Sequence, residues 1–275
     1  MISSWIQVKG IFMQEISQTG EFDTDFPGNA SQWFGFVRHD FILNGLKCIL
    51  VEPDCEPTPE KHWYWRARFF GAFPNADWAM LRLGWYVVHI EIDELYGAAE
   101  SNGRFDLLYS FLTKALNFNS RCVPVGYSRG GLDVYSWAVK NTDKVYCLYL
   151  DNPVCDFKSW PGGKGSGVGD AAAWSNCLNA WGINEDEALT SPHNPVDNLE
   201  PLARTNIPIL HVYGDADEVV PATENTMLVD ARYRALGGEI ELICKKDAGH
   251  HPHCLENPQP IVGFILKHTK KHHLE

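Results

Sequence analysis

The sequence predicts an α/β fold: a mostly parallel central sheet with helices on both faces and an antiparallel amino-terminal edge. Three observations carry this. Short apolar runs recur along the chain with helix-length patterned segments between them. The run Trp85 to Ile92 is almost continuously apolar, as expected of a strand buried on both faces. Asn44-Gly45, a favoured two-residue turn, separates two early strand-like runs that must then pair antiparallel.

Residues 1–30 read as an irregular arm, and 31–271 as one domain. In order, Phe34 to Leu43 and Lys47 to Glu52 make the hairpin, and His62 to Phe70 is an aromatic-rich strand. Asn75 to Leu83 is a helix that Gly84 can terminate. Strand Trp85 to Ile92, helix Arg104 to Leu116, strand Arg121 to Val125, helix Gly130 to Lys140 and strand Lys144 to Leu150 continue the alternation. After an interruption, strand Pro208 to Tyr213, helix Thr223 to Leu236, strand Glu239 to Lys245 and helix Pro260 to Thr269 complete it. The interruption, about 153–205, holds clustered glycines, a helix from Ala171 to Trp181 and Pro-rich coil. So long a break inside a compact domain reads as a lid or binding loop before the next strand.

The 275 residues suffice for one large domain with a full core, and 45% hydrophobic residues with 21% charged is ordinary globular composition. A net charge of −12 offers no basic field to collect phosphates, which argues against nucleic acid or an anionic membrane as partner. No apolar run reaches the roughly 18 residues needed to span a bilayer. Met1 to Gly10 lacks the basic start and apolar stretch of a leader. Leu274-Glu275 resembles a scar left ahead of a purification tag, so a native leader lost in cloning, and with it export, stays open. His272 and His273 beside it take the same bland explanation.

None of the eight cysteines forms a C-x-x-C spacing, which disfavours a zinc knuckle or dithiol site. Cys122, Cys147 and Cys244 sit in apolar runs and read as core residues. Cys155 with Cys177, or Cys48 with Cys55, are candidate disulfides that would favour an exported protein.

Gly126-Tyr127-Ser128-Arg129-Gly130 matches G-x-S-x-G. The five residues alone are a weak signal; their position, straight after a buried strand and at the start of a helix, strengthens it. Such a strand-to-helix elbow strains its central residue, and flanking glycines relieve collisions with neighbouring backbone. Ser128 would be the nucleophile, and the N–H of Arg129 at the helix start would face a developing oxyanion. The base and its orienting acid should come from later strand ends, acid first. Asp215, Asp217 and Glu218 follow the strand Pro208 to Tyr213, at the sheet edge where open α/β folds place their sites. Asp217 is preferred because the loop needs length to turn back, Asp215 reads as turn-stabilising, and Asp151 is the second-choice acid. Among His250, His251 and His253 after the last strand, His250 directly follows Gly249 and is preferred as base.

The elements in this order, with "GYSRGG", "GDADEVVP" and "GHHPH", resemble the α/β-hydrolases over residues 33 to 270. "WRARFFGAFPNAD" and "PVCDFKSWPGGKG" look like a bacterial branch of carbohydrate esterases, including pectin methylesterase-like enzymes. The resemblance implies a serine esterase on the α/β-hydrolase fold, requiring neither metal nor cofactor. The chain departs from the lipases in lacking a His-Gly-Gly oxyanion loop; "RARFFG" stands there, so a backbone N–H near Arg68 or Phe69 would be the second oxyanion donor. Arg66 and Arg68, two apart and so on one side of a strand, would join Arg129 in recognising a carboxylate such as a uronate, the alternative being local ion pairs. Phe69, Tyr127, Trp160 and His251 are further substrate-binding candidates. Trp63, Trp65 and Trp174 divide between sugar stacking and core packing. The expected partner is a small-molecule or oligosaccharide ester; a thioesterase or peptidase would use the same residues.

Overall fold

The computed structural model describes residues 5–8, 11–14 and 26–270. The readings made for His272, His273 and Leu274-Glu275 lie outside the described residues. The sheet begins with β1 (Trp5–Val8) and β2 (Ile11–Gln14), paired antiparallel. β2 and β3 (Asn29–Trp33) both pair with β4 (Phe36–Leu43), so the arm expected to be irregular carries strands. Its Ile, Val, Phe and Met residues fit a strand, but in runs too short to show a period. β4 turns through Asn44 and Gly45, at φ 48° and 84°, into β5 (Leu46–Val51), the backbone that two-residue hairpins favour.

Next come β6 (Trp63–Arg66), α1 (Asn75–Leu81), β7 (Tyr86–Ile90), α2 (Ala99–Ala115), β8 (Val123–Tyr127), α3 (Gly130–Ala138) and β9 (Leu148–Asp151). The interrupted region holds α4 (Ala171–Trp181), α5 (Glu185–Thr190) and α6 (Glu200–Arg204), and β10 (Ile209–Gly214), α7 (Thr226–Ala235), β11 (Ile240–Lys245) and α8 (Gln259–Lys270) close the chain. The sheet order is β1-β2-β4-β5-β7-β6-β8-β9-β10-β11, with β3 beside β4. From β7 to β11 every pairing is parallel, and β5 joins β7 antiparallel. Strands β8 to β11 are therefore consecutive neighbours, and their carboxyl ends form one continuous edge.

Side chains alternate between two cores. Trp63 and Trp65 of β6 pack with Phe105, Leu108 and Phe111 of α2, Trp137 of α3 and Tyr233 of α7. Tyr64, between them, points to the other face, where Met80 of α1 and Ile261, Phe264 and Ile265 of α8 cover the sheet. Burying each such side chain is worth about 1.5–3 kcal/mol. A third cluster joins α4 to the sheet edge: Phe157, Trp174 and Cys177 pack on Tyr96, Leu132 and Val220.

Several expectations need correction. The strand read as His62 to Phe70 stops at Arg66, because Phe69 takes φ 53° and turns the chain away. All eight cysteines are free, so neither candidate disulfide exists. Cys244 is exposed rather than buried, since β11 is the sheet's outer strand. Trp63 and Trp65 are fully buried core residues, and Trp174 is buried against Phe157. Among the described residues no helix is long and apolar enough to cross a membrane.

Candidate active site

Ser128 stands on the turn between β8 and α3 at φ 51°, a region costly for a non-glycine residue. Backbone bonds hold it there: its N–H donates to the Asp151 carbonyl (3.0 Å), and its own carbonyl accepts from Gly131 (3.0 Å) and Val154 (2.9 Å). A Cβ on Gly126 would come within 2.7 Å of the Gly130 carbonyl oxygen, and one on Gly131 within 2.6 Å of that of Val154. Gly130 is different, since its nearest obstacle is the Arg68 side chain at 3.6 Å. The glycines required by close approach are thus Gly126 and Gly131, not both flanks of the pentapeptide.

The loops after β8, β10 and β11 bring Ser128, Asp217 and His250 into one hydrogen-bonded relay. Ser128 Oγ lies 2.9 Å from His250 Nε2, and His250 Nδ1 lies 2.7 Å from Asp217 Oδ2. The other Asp217 oxygen accepts from the N–H groups of Val219 and Val220, both at 2.9 Å, which fixes the carboxylate's orientation. Asp217 and Ser128 are buried, at 6% and 9% exposure, so water screens the relay little. With an acidic partner on Nδ1, the imidazole carries its proton there and presents a basic Nε2 to the hydroxyl. Asp215 instead accepts from the Asp247 N–H, tying the two loops together. Asp151, the second-choice acid, is fully buried and engaged by Tyr149, Lys245, His253 and the Cys254 N–H, so it does not face His250.

Only two of the three arginines come together: Arg68 and Arg129 approach the same Glu94 oxygen, at 4.0 and 2.7 Å, while Arg66 lies apart. Arg66 is fully buried; it holds both Asp77 oxygens at 2.9 and 3.0 Å and donates to the carbonyls of Phe69 and Ala72. Burial opposes its charge, and the Asp77 carboxylate more than restores it. Arg66 braces the 69–72 turn and has no surface for substrate. The Arg68 side chain runs the other way, donating to the Ile92 carbonyl and to Asp93, with Asp133 3.6 Å off. Strand alternation fails to align them because β6 has already ended. Tyr127, named as a substrate contact, is 1% exposed and lies beneath Ser128 between Arg66 and His253. Phe69 is 39% exposed, with the Arg129 guanidinium 5.6 Å from its ring centre; Trp160 is half-buried near Tyr96, and His251 is exposed against Phe73. No acceptor among the described residues engages the backbone N–H of Arg129 or of Phe69.

Sequence reading missed two sets of residues. Arg129 pairs with Glu94 (2.7 Å) and approaches the Tyr96 hydroxyl, while Glu94 also accepts from Tyr96 and from Asn176 of α4. Burial pushes the Glu94 carboxyl up, but these donors outweigh it and hold the pKa below its ordinary value. Both Glu94 and Tyr96 follow β7, at the same carboxyl edge where sites of such sheets lie, and that rule was the available signal. Asn152 is the other: its Nδ2 donates to the His250 carbonyl (2.7 Å), and its Oδ1 accepts from the Gly214 N–H (2.7 Å). One side chain thus sets the spacing between the acid strand and the base loop; nothing local in the sequence marked it.

The model of the prolyl oligopeptidase family matches residues 90–272. Among solved structures, dipeptidyl peptidase 4 of Porphyromonas gingivalis superposes with a TM-score of 0.64 at 13% identity, over 85% of this chain and 36% of that one. Acylaminoacyl peptidase of Pyrococcus horikoshii gives 0.57 at 16%, over 78% and 38%. S-formylglutathione hydrolase of Agrobacterium tumefaciens gives 0.54 at 17%, over 88% and 96%. The chain spans little more than a third of the length of the peptidases it matches first. No curated protein matches it. At these identities the likeness is one of fold, and the fold is that of the α/β-hydrolases.

Proposed function

The chain belongs to the prolyl oligopeptidase family of serine hydrolases, and from that premise we propose that it cleaves a carboxylic ester through an acyl-enzyme on Ser128. The relay of Ser128, His250 and Asp217, with contacts of 2.9 and 2.7 Å, carries this reading. His250 Nε2 takes the hydroxyl proton as Oγ attacks the carbonyl carbon, and Asp217 stabilises the imidazolium that results. The free N–H of Arg129 receives the oxyanion, with a backbone N–H at Arg68 or Phe69 as second donor. His250 then returns the proton to the leaving alcohol, and water, activated by the same ring, releases the acid.

For substrate, we infer an esterified carbohydrate. Phe69 and Trp160 offer the flat apolar faces on which sugar rings stack. With Arg66 and Arg68 committed to internal pairs, a short acyl ester such as acetate is favoured over the methyl ester of a uronate. The region 153–205 would act as the cover, tied to the site by Asn176 and Glu94. The family match favours one further reading, an amide substrate, since the same relay attacks a peptide carbonyl.

Incubation with acetylated xylan, methyl-esterified pectin, a nitrophenyl acetate and a peptide nitroanilide separates these. Acetate release is expected to dominate, and Ser128→Ala should lower it at least about a thousandfold. Dominant nitroaniline release would transfer the assignment to peptides, and an unaffected Ser128→Ala variant would end the serine reading.

A further inference from the structure

His250, His251 and His253 share one loop after β11, their ring centroids 4.9 Å apart in every pairing. One nitrogen from each can be chosen so that all three lie within 4.8 Å of one another. Hydrolysis by the relay uses only the first of these rings.

Two of the rings are already arranged as metal ligands. His250 Nδ1 is bonded to Asp217 and His253 Nδ1 to Asp151, at 2.7 and 2.9 Å. A histidine whose Nδ1 proton is held by a carboxylate keeps a fixed ring and leaves Nε2 free as a donor atom, which is how histidines that bind zinc are supported. Both carboxylates are buried and held by further donors, Val219 and Val220 for Asp217, Tyr149 and Lys245 for Asp151. The third ring, His251, is exposed and stacked on Phe73, so it can swing inward at little cost. Zn–N bonds of about 2.0–2.1 Å in a tetrahedron put ligand nitrogens ~3.3 Å apart. Closure by up to roughly 1.5 Å per pair completes the site, through a swing of the exposed His251 ring and a small shift of the loop that carries His250 and His253.

We propose that His250, His251 and His253 bind a divalent ion of the zinc class, and that the bound ion takes the His250 Nε2 lone pair from Ser128 and arrests hydrolysis. The arrest rests on the catalytic reading above; the binding does not. Three neutral imidazoles select Zn2+, Cu2+, Ni2+ or Co2+ over Mg2+ and Ca2+, which want oxygen. The fourth position faces the Ser128 hydroxyl and takes that oxygen or a water. Only the hydrogen bond from Ser128 to His250 is broken, no proton need leave, and removal of the ion restores the relay.

The test uses Co2+ as a spectroscopic probe and Zn2+ as inhibitor, on the full chain with His272 and His273 changed to alanine so that they contribute nothing. One Co2+ per chain is expected, with the visible bands of tetrahedral nitrogen ligation. His251→Ala and His253→Ala should each weaken its binding more than about tenfold, and Asp151→Asn about tenfold. Zn2+ should inhibit nitrophenyl acetate hydrolysis reversibly by chelator, and His251→Ala should need at least ten times more Zn2+ for half-inhibition, each variant scored against its own metal-free rate. Ser128→Ala should still bind Co2+. If His253→Ala unfolds, as a melting curve would reveal, His251→Ala decides the matter alone because its ring is exposed. Co2+ bound equally by His251→Ala and the parent, or not bound stoichiometrically at all, overturns the site. Zn2+ inhibition unchanged in His251→Ala overturns the arrest. If the parent turns over no ester, the catalytic reading fails and the cobalt spectrum still decides the site.

Discussion

At the scale of single residues, the proposed chemistry rests on side chains whose positions are set by others that never touch substrate. Asp217 is one: changed to Asn, it keeps its shape but no longer holds His250 in the tautomer that offers Nε2 to Ser128. We expect kcat to fall by about 10⁴ with KM little altered, measured by steady-state kinetics on nitrophenyl acetate. Asn152 acts a step further out, bridging Gly214 and His250. Asn152→Ala should lower kcat roughly 10–100-fold, because displacing a reacting group by about 1 Å has that order of effect; a loss confined to stability would refute the positioning role. Arg66 and Asp77 carry no chemistry, but Arg66→Met leaves a fully buried carboxylate unpaired. That variant should lose about 3–5 kcal/mol in urea unfolding. These residues also mark the limit of sequence reading. Asp217 and His250 are visible because each follows its own strand in a known order. Asn152 and Asp77 gain their meaning from partners 98 and 11 residues away, and no local pattern announces such pairs.

At the scale of elements, the legible parts were those with a strong period or a turn signature: the Asn44-Gly45 hairpin, the buried strand β7, and α4, whose limits match the sequence reading. α4 was readable because Asp170 caps it, accepting from the Ala173 N–H, and Gly182 ends it at φ 65°. What failed was alternation carried past a strand's end, at Arg66 and Arg68, and alternation in strands too short to show it, at β1 and β2. The elbow between β8 and α3 illustrates the same limit: the pattern names two flanking glycines, but packing demands Gly126 and Gly131. Gly126→Ala should therefore cost about 1–3 kcal/mol and disturb Ser128, while Gly130→Ala, with only ordinary contact at 3.6 Å, should be far milder. Thermal unfolding and esterase rate of the two variants compare them directly, and equal penalties would disprove the packing account.

At the scale of the whole molecule, the same sheet that gathers the site also buries groups whose titration sets the acid limit of stability. His211, in the middle of β10, is fully buried, its ring held between the Tyr135 hydroxyl (2.8 Å) and Thr226 Oγ1 (3.1 Å). Burial lowers its pKa from the ordinary value near 6.5 to about 3, only partly opposed by the charge of Asp151. Both of its hydrogen bonds suit a neutral ring, and a proton there would stand in the core without a counter-charge at contact distance. The sign follows from linkage. A histidine with a depressed folded pKa is neutral in the folded chain while the unfolded chain takes up a proton, so its contribution is complete above pH 6.5 and is lost as pH falls toward 3. Over that window this one group should remove stability at up to about 1.4 kcal/mol per pH unit. The acidic surface adds its own titration, so the useful quantity is a difference: urea midpoints between pH 7 and 4 for the parent and for His211→Gln, which keeps a polar side chain and has no proton to gain. The variant is expected to start less stable at pH 7 and to lose less on acidification, its curve flatter by about one proton's uptake. Parallel curves would mean that His211 titrates alike in both states, and the acid limit would then belong to the buried carboxylates instead.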